Sequence, residues 1–193
     1  MKTTEVLMNE HEIIKSMILN ATERMALPDP VSIEEFEVYY KFFIEYADKF
    51  HHEKEENIYF KWLINKDQNL ERGVIAKMLH DHEFLRKTLH EAKEFIYSNQ
   101  YQQFKSNFLS YCEVLYNHIY KEDNILYKMA ENLNKEFKDG DYLMMDNFLK
   151  VETEGATTFN KWKDYPIHAI VRKESEMLKV SDGKIGGGCC GMC

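Results

Sequence analysis

The sequence predicts an all-α fold, an antiparallel up-down four-helix bundle with additional C-terminal helices. Three observations predict it. Only eight glycines and three prolines interrupt 193 residues, which favours long helices. Apolar residues recur at spacings of three and four along four long stretches, the period of a helix with one buried face. Short polar or proline-containing breaks separate those stretches, so each helix covers its apolar stripe with an antiparallel neighbour.

The first helix runs from about Thr3 to Met25, with Leu7, His11, Ile14 and Ile18 on one face. Leu27-Pro28-Asp29-Pro30 stops it. Ser32 then reads as an N-cap, with Glu35 three residues later completing a capping box. The second helix spans about Ile33 to Ile64, and its inward stripe reads Tyr40, Ile44, Ala47, His51, Glu55, Ile58 and Trp62. A polar break, Asn65 to Asn69, leads into a third helix from about Leu70 to Tyr97 with Ile75, Met78, His82, Leu85 and Leu89 inward. After Ser98-Asn99-Gln100 the fourth runs to about Phe137, with Phe104, Phe108, Tyr111, Leu115, His118, Glu122, Ile125 and Met129 as its stripe. Residues 1–137 therefore form the bundle, 138–180 a helical extension and 181–193 a flexible Cys-rich tail.

Hydrophobic residues make up 44% of the chain, enough for one packed domain. The formal charge of −8 argues against non-specific nucleic-acid binding and against an anionic membrane surface. No apolar run approaches the roughly 18 residues that span a bilayer, and the amino terminus lacks the order of a signal peptide. A cytoplasmic monomer or homodimer is the expectation. Of four cysteines, Cys112 lies in the body while Cys189, Cys190 and Cys193 crowd the end, a poor disulfide framework. Three cysteines suit a metal or a redox pair but lack a fourth ligand, so the tail reads as exposed and reducible.

Chemistry concentrates where histidines and carboxylates interrupt apolar stripes. His51 and Glu55 are four apart on the second helix, His118 and Glu122 four apart on the fourth, and such pairs stack on one face. His11 and His82 occupy inward positions on the other two helices. Singly, each histidine reads as a core residue satisfied by local hydrogen bonds. Together with two buried glutamates that reading fails, because an unpaired buried carboxylate loses several kcal/mol or takes up a proton. One or two divalent cations reconcile the set, and imidazoles with carboxylates suit iron, manganese or zinc.

These pieces (MNEHEII, YADKFHHEKEENIYF, MLHDHEFLRKTL and YNHIYKEDNILY) resemble the hemerythrin-like family of HHE cation-binding bundles, in its bacterial and archaeal form, over residues 3–135. The resemblance implies two non-haem iron ions, bridged by carboxylates and an oxo or hydroxo ligand. It assigns His11 and His51 mainly to one iron, His82 and His118 to the other, and Glu55 and Glu122 as bridges. Oxygen-carrying members also have a histidine one turn before the position of His82. Here that position is Met78, with His80 on a flanking face, which leaves the His82–His118 side short of a nitrogen and argues against simple reversible oxygen carriage. Asp123, five residues after His118, competes with Glu122 for the second bridge. Glu122 is preferred because it repeats the His51–Glu55 spacing.

His52 and Glu56 form another four-spaced pair, expected to face solvent or support the ligands from behind. Arg86, one turn after His82, is a candidate partner for Glu122 or a neighbouring carboxylate. Tyr39, Tyr40, Tyr111 and Tyr116 are core fillers or a source of an extra oxygen ligand, while His90 and His168 are expected outside the site. Function classes follow in order: binding or sensing dioxygen or a related small diatomic molecule; reduction of peroxide or nitric oxide with an electron donor, or iron-centre repair; and iron storage or delivery.

Overall fold

The computed structural model describes residues 3–133 and 139–165. Six helices follow in order: α1 (Thr3–Ala26), α2 (33–66), α3 (68–97), α4 (101–133), α5 (Asp139–Glu154) and α6 (Ala156–Trp162). The first four form the bundle. Side-chain pairs fix their directions, because numbers rise on one helix as they fall on its neighbour. Asn20–Tyr39 and Glu10–His51 join α1 to α2, Tyr40–His90 and Glu56–His82 join α2 to α3, and Glu91–Asn107 and His82–His118 join α3 to α4.

The expected punctuation is present. The capping box forms, Ser32 Oγ accepting from the Glu35 N–H and Glu35 from the Ser32 N–H. Arg24, at the end of α1, ties that corner by donating to Glu35, Asp29 and the Pro30 carbonyl. Asn99 takes φ 58° in the three-residue link to α4, a left-handed conformation that asparagine tolerates better than most residues.

Three helices depart from α geometry. Phe43–His52 and Glu55–Tyr59 of α2, Glu71–Ile75 at the start of α3, and Glu122–Leu126 of α4 are π-helical. Each wide turn inserts a residue relative to α-helical register, and such turns recur at functional sites. Part of the expected stripes is overturned. On α2, Ala47, His51, Glu55 and Trp62 are buried as expected, while Tyr40, Ile44 and Ile58 are only half-buried and Phe36, Tyr39, Phe42, Phe43, Tyr46 and Phe50 join the core. On α4, Ile125 and Met129 are exposed, and Leu126, Tyr127 and Ala130 face inward in their place.

The core has two apolar layers. One gathers Ile14, Ile18, Phe43, Leu85, Phe104, Phe108 and Leu115; the other Leu7, Tyr59, Phe60, Met78, Leu126 and Tyr127. His11, His51, His82 and His118 fall between them on all four helices. α5 and α6 pack on α2: Met144 and Phe148 join the second layer and Trp162 the first. Trp62 Nε1 donates to Asp141 Oδ1 at 2.6 Å. Between α5 and α6, Gly155 lies against the Phe50 ring, where any Cβ would collide. The 166–180 part of the extension, His168 and the Cys-rich tail lie outside the described residues.

Candidate metal centre

Two clusters meet in the polar layer, each fully buried. His11, His51, Glu55 and Glu122 form one; His52, Glu55, His82 and His118 form the other, with each cluster's donor atoms within 4.8 Å of one another. Glu55 belongs to both. Its Oε2 lies 3.6 Å from His51 Nε2 and 3.6 Å from His82 Nε2. Glu122 Oε2 lies 3.3 Å from His11 Nε2 and 3.1 Å from His118 Nε2. Each carboxylate thus sits between histidines of the two clusters.

The outer nitrogens explain the inner ones. Nδ1 of His11 faces Asp123, Nδ1 of His51 faces Glu10 and Nδ1 of His82 faces Glu56, each at 2.7 Å. His118 Nδ1 lies 3.4 Å from Asp81, and His52 Nδ1 3.6 Å from Asp48. A carboxylate only accepts, so the Nδ1 atoms it engages carry the proton and the neutral ring turns a lone pair inward at Nε2. Yet His11 Nε2 and His51 Nε2 are 2.8 Å apart, as are His82 Nε2 and His118 Nε2. Two lone pairs at that distance require a cation between them. Bonds of about 2.1 Å would let one metal ion be held by both facing nitrogens after a small adjustment of the rings. Glu55 Oε2 and both oxygens of Glu122 are buried without a hydrogen bond, a costly state that coordination relieves. The residues therefore fit a pair of divalent metal ions.

Without metal, protons take that role. Burial pulls His11 down, but Asp123 and Glu122 outweigh it and push it up to about 9. Burial likewise opposes His118, which Glu122 and Asp81 raise to about 9. Burial, reinforced by neighbouring cationic rings, holds His51 and His82 well below the ordinary range. Each face-to-face pair thus shares one proton. Burial and the charge of Glu122 drive Glu55 well above the usual carboxylate range. Burial also opposes ionisation of Glu122, but His118 and His11 hold that carboxyl low.

Around the clusters the same local arrangement occurs twice. Glu10-His11 on α1 matches Asp81-His82 on α3, and Lys15 matches Arg86, each four residues on. On α2, His51, Lys54, Glu55 and Glu56 match His118, Lys121, Glu122 and Asp123 on α4. The contacts repeat too. Glu10 serves His51 as Asp81 serves His118, and Lys54 binds Glu10 as Lys121 binds Asp81. Asp123 serves His11 as Glu56 serves His82, backed by Lys15 and Arg86 respectively. The short pattern was visible in the sequence, and Glu56 stands behind a ligand as one of its expected roles, but the parts played by Glu10, Asp81 and Asp123 lie across helices and were not legible.

One expectation changes and another is met in its second form. His52 does not face solvent: it is buried in the second cluster, its ring stacked on His82 with centroids 3.8 Å apart. The cluster beside Met78 therefore includes three histidines, and the one around His11 and His51 two histidines and two glutamates. Arg86 takes the second of its expected partners: it donates not to Glu122 but to the neighbouring carboxylates Asp48 and Glu56, at 2.7 Å each. Asp123 faces the outer nitrogen of His11, whereas Glu122 reaches the inner ones. His80 and His90 are exposed. A tyrosine not among those singled out, Tyr127, donates from its hydroxyl to Glu55 Oε1 and stacks on His11 at 5.7 Å.

A family profile described as the Hemerythrin HHE cation binding domain matches residues 2–130. The chain belongs to this family. Comparisons with curated proteins and with solved structures returned no match. The HHE domain covers all four bundle helices and both clusters, while α5 and α6 lie beyond the match. No helix among the described residues is long and apolar enough to cross a membrane.

Proposed function

We propose that the HHE domain holds two irons, with His11 and His51 on one, His52, His82 and His118 on the other, and Glu55 and Glu122 between them. On this reading it binds dioxygen or a related small molecule. The observation that carries it is the pair of inward Nε2···Nε2 contacts flanked by two carboxylates with unpartnered oxygens. Bound there, iron supplies one-electron redox chemistry and an open coordination position.

The chain's own residues do the rest. Glu55 and Glu122 offset cationic charge in a site with no water-facing donor atoms. The carboxylates on the Nδ1 atoms of His11, His51, His82 and His118 lock those imidazole tautomers and raise their basicity as ligands. The apolar layers around Leu7 and Phe60 on one side and Ile14 and Leu115 on the other exclude water. Small-molecule binding belongs on the His11–His51 side, where histidine donors are fewer. Tyr127 stands there, its Oη holding a proton beside Glu55 Oε1.

That phenol favours a second reading, reduction of peroxide or nitric oxide, because it offers a proton at the carboxylate between the clusters. Anaerobic iron quantification followed by an optical spectrum on oxygen addition tests the first reading. Two irons per chain and an oxygen-dependent absorption band are expected; iron content near zero after reconstitution would sink it. Turnover of peroxide with a reductant, lowered in Tyr127→Phe, would favour the second.

A further inference from the structure

The internal repeat has one unequal pair of cations. Lys121 and its twin Lys54 each bind the carboxylate behind a histidine, but their surroundings differ. Lys121 is a third exposed, so water screens it. Lys54 is fully buried, with its ammonium 3.7 Å from the Phe50 ring centroid and 5.2 Å from that of Phe148. It also has a second carboxylate, Glu152 of α5, from beyond the HHE domain. A continuous line therefore runs from Glu152 through Lys54 and Glu10 to His51 Nδ1.

We propose that Glu152 is a positioning residue for the metal centre, acting through Lys54 and Glu10 on His51 and so tying α5 to metal uptake. This rests on reading the two clusters as a metal site. The argument is charge sharing in a buried place. A buried ammonium needs compensation from whatever anions reach it, because desolvation there is expensive. With Glu152 present, Lys54 divides its hydrogen bonds between two carboxylates. Glu10 then remains the more basic acceptor for the His51 Nδ1–H, which makes that imidazole a stronger donor to a cation at Nε2. Without Glu152, Lys54 turns wholly to Glu10 and the His51 bond weakens. Among the described residues Lys121, which acts on His118 through Asp81, has no such second carboxylate.

The test uses the full chain loaded with Zn2+, which is diamagnetic, and reads the histidine Nδ1–H protons by NMR alongside Zn2+ affinity. Glu152→Gln should move the His51 Nδ1–H signal upfield, leave that of His118 in place, and weaken one Zn2+ site about tenfold. Glu152→Asp should restore much of both. Asp141→Asn is the control: it removes the charge that Lys66 and Trp62 bind at the other end of α5 and should move neither reading. An unmoved His51 proton in Glu152→Gln, or an equal shift in Asp141→Asn, would overturn the positioning role. Failure of the unaltered chain to take up Zn2+ would instead sink the metal reading and this inference with it.

Discussion

The two halves of the bundle, α1–α2 and α3–α4, carry one pattern and differ at two points. Both place an acidic residue before a histidine on one helix, and a histidine, lysine and glutamate in fixed spacing on the next. Both open a five-residue π turn at the shared glutamate, Glu55–Tyr59 and Glu122–Leu126. The first half alone adds His52, opposite the apolar Ile119 of its twin, and alone is covered by α5 through Glu152. The common part builds a symmetric pair of clusters. The differences give one cluster three histidines and the other two, and the proposed small-molecule site lies on the side with two.

The largest effect should come from what the halves share. Glu55→Ala and Glu122→Ala each remove an oxygen that stands between the clusters, so each should prevent two-iron uptake rather than halve it. Metal analysis after anaerobic reconstitution reads this directly. If either variant kept one tightly bound iron per chain, the clusters would be independent sites and the comparison would lose its symmetric part.

The π turns also explain which parts of the molecule the sequence discloses. Where α1 and α3 pass the site they are ordinary α-helices, and Leu7, His11, Ile14, Met78, His82 and Leu85 lie where a period of 3.6 puts them. The Ser32 capping box and the breaks at Pro28 and Asn99 depend on local chemistry and are equally legible. On α2 and α4 the wide turns slip the register, so helical spacing misplaces Ile125 and leaves His52 off the stripe. His51 and Glu55 remain legible because ionisable groups among buried aromatics are conspicuous in any register. Glu10 and Asp81 are hidden for another reason, since each serves a ring on a neighbouring helix.

That slip can be tested by stability. Leu126→Ala should cost about 2–5 kcal/mol, because Leu126 is fully buried in the apolar layer beside the clusters. Ile125→Ala, at a position 48% exposed, should change stability by no more than about 0.5 kcal/mol. Denaturant unfolding of both variants decides it. The reverse order would restore an unbroken α-helical register in α4 and remove the twin of the turn at Glu55.

His52 tests the asymmetry itself. His52→Ile makes the first half resemble the second at the Ile119 position, and should weaken one of the two metal sites by about 10- to 100-fold. His80→Asn, on the exposed face of α3, should leave both sites unchanged. Competition titration with a chromogenic chelator separates the two affinities. Equal behaviour of the two variants would return His52 to a supporting role and leave two histidines in the cluster beside Met78.

The smallest expected effect is a pH dependence that the halves share. In the metal-free chain His11 and His118 are raised to about 9, one in each half. A histidine whose folded pKa exceeds its unfolded value stabilises the fold fully below about 6.5 and loses that contribution as pH rises through about 9. Glu10, pushed up to about 8 by burial against the pull of Lys54, adds the same sign, because the unfolded carboxyl ionises first. His51 and His82 act oppositely, but their contribution is complete once pH passes about 6.5. Between about 6.5 and 9 the metal-free chain should therefore lose stability, at about 2–4 °C in melting temperature per kcal/mol. Metal displaces the protons shared at Nε2, so the loaded protein should show a flatter profile and bind metal more tightly as pH rises. Thermal melts with and without chelator at three pH values decide this. A metal-free melting temperature that climbs across that window would mean that no proton holds the facing nitrogens together, and the geometry of both halves would need another explanation.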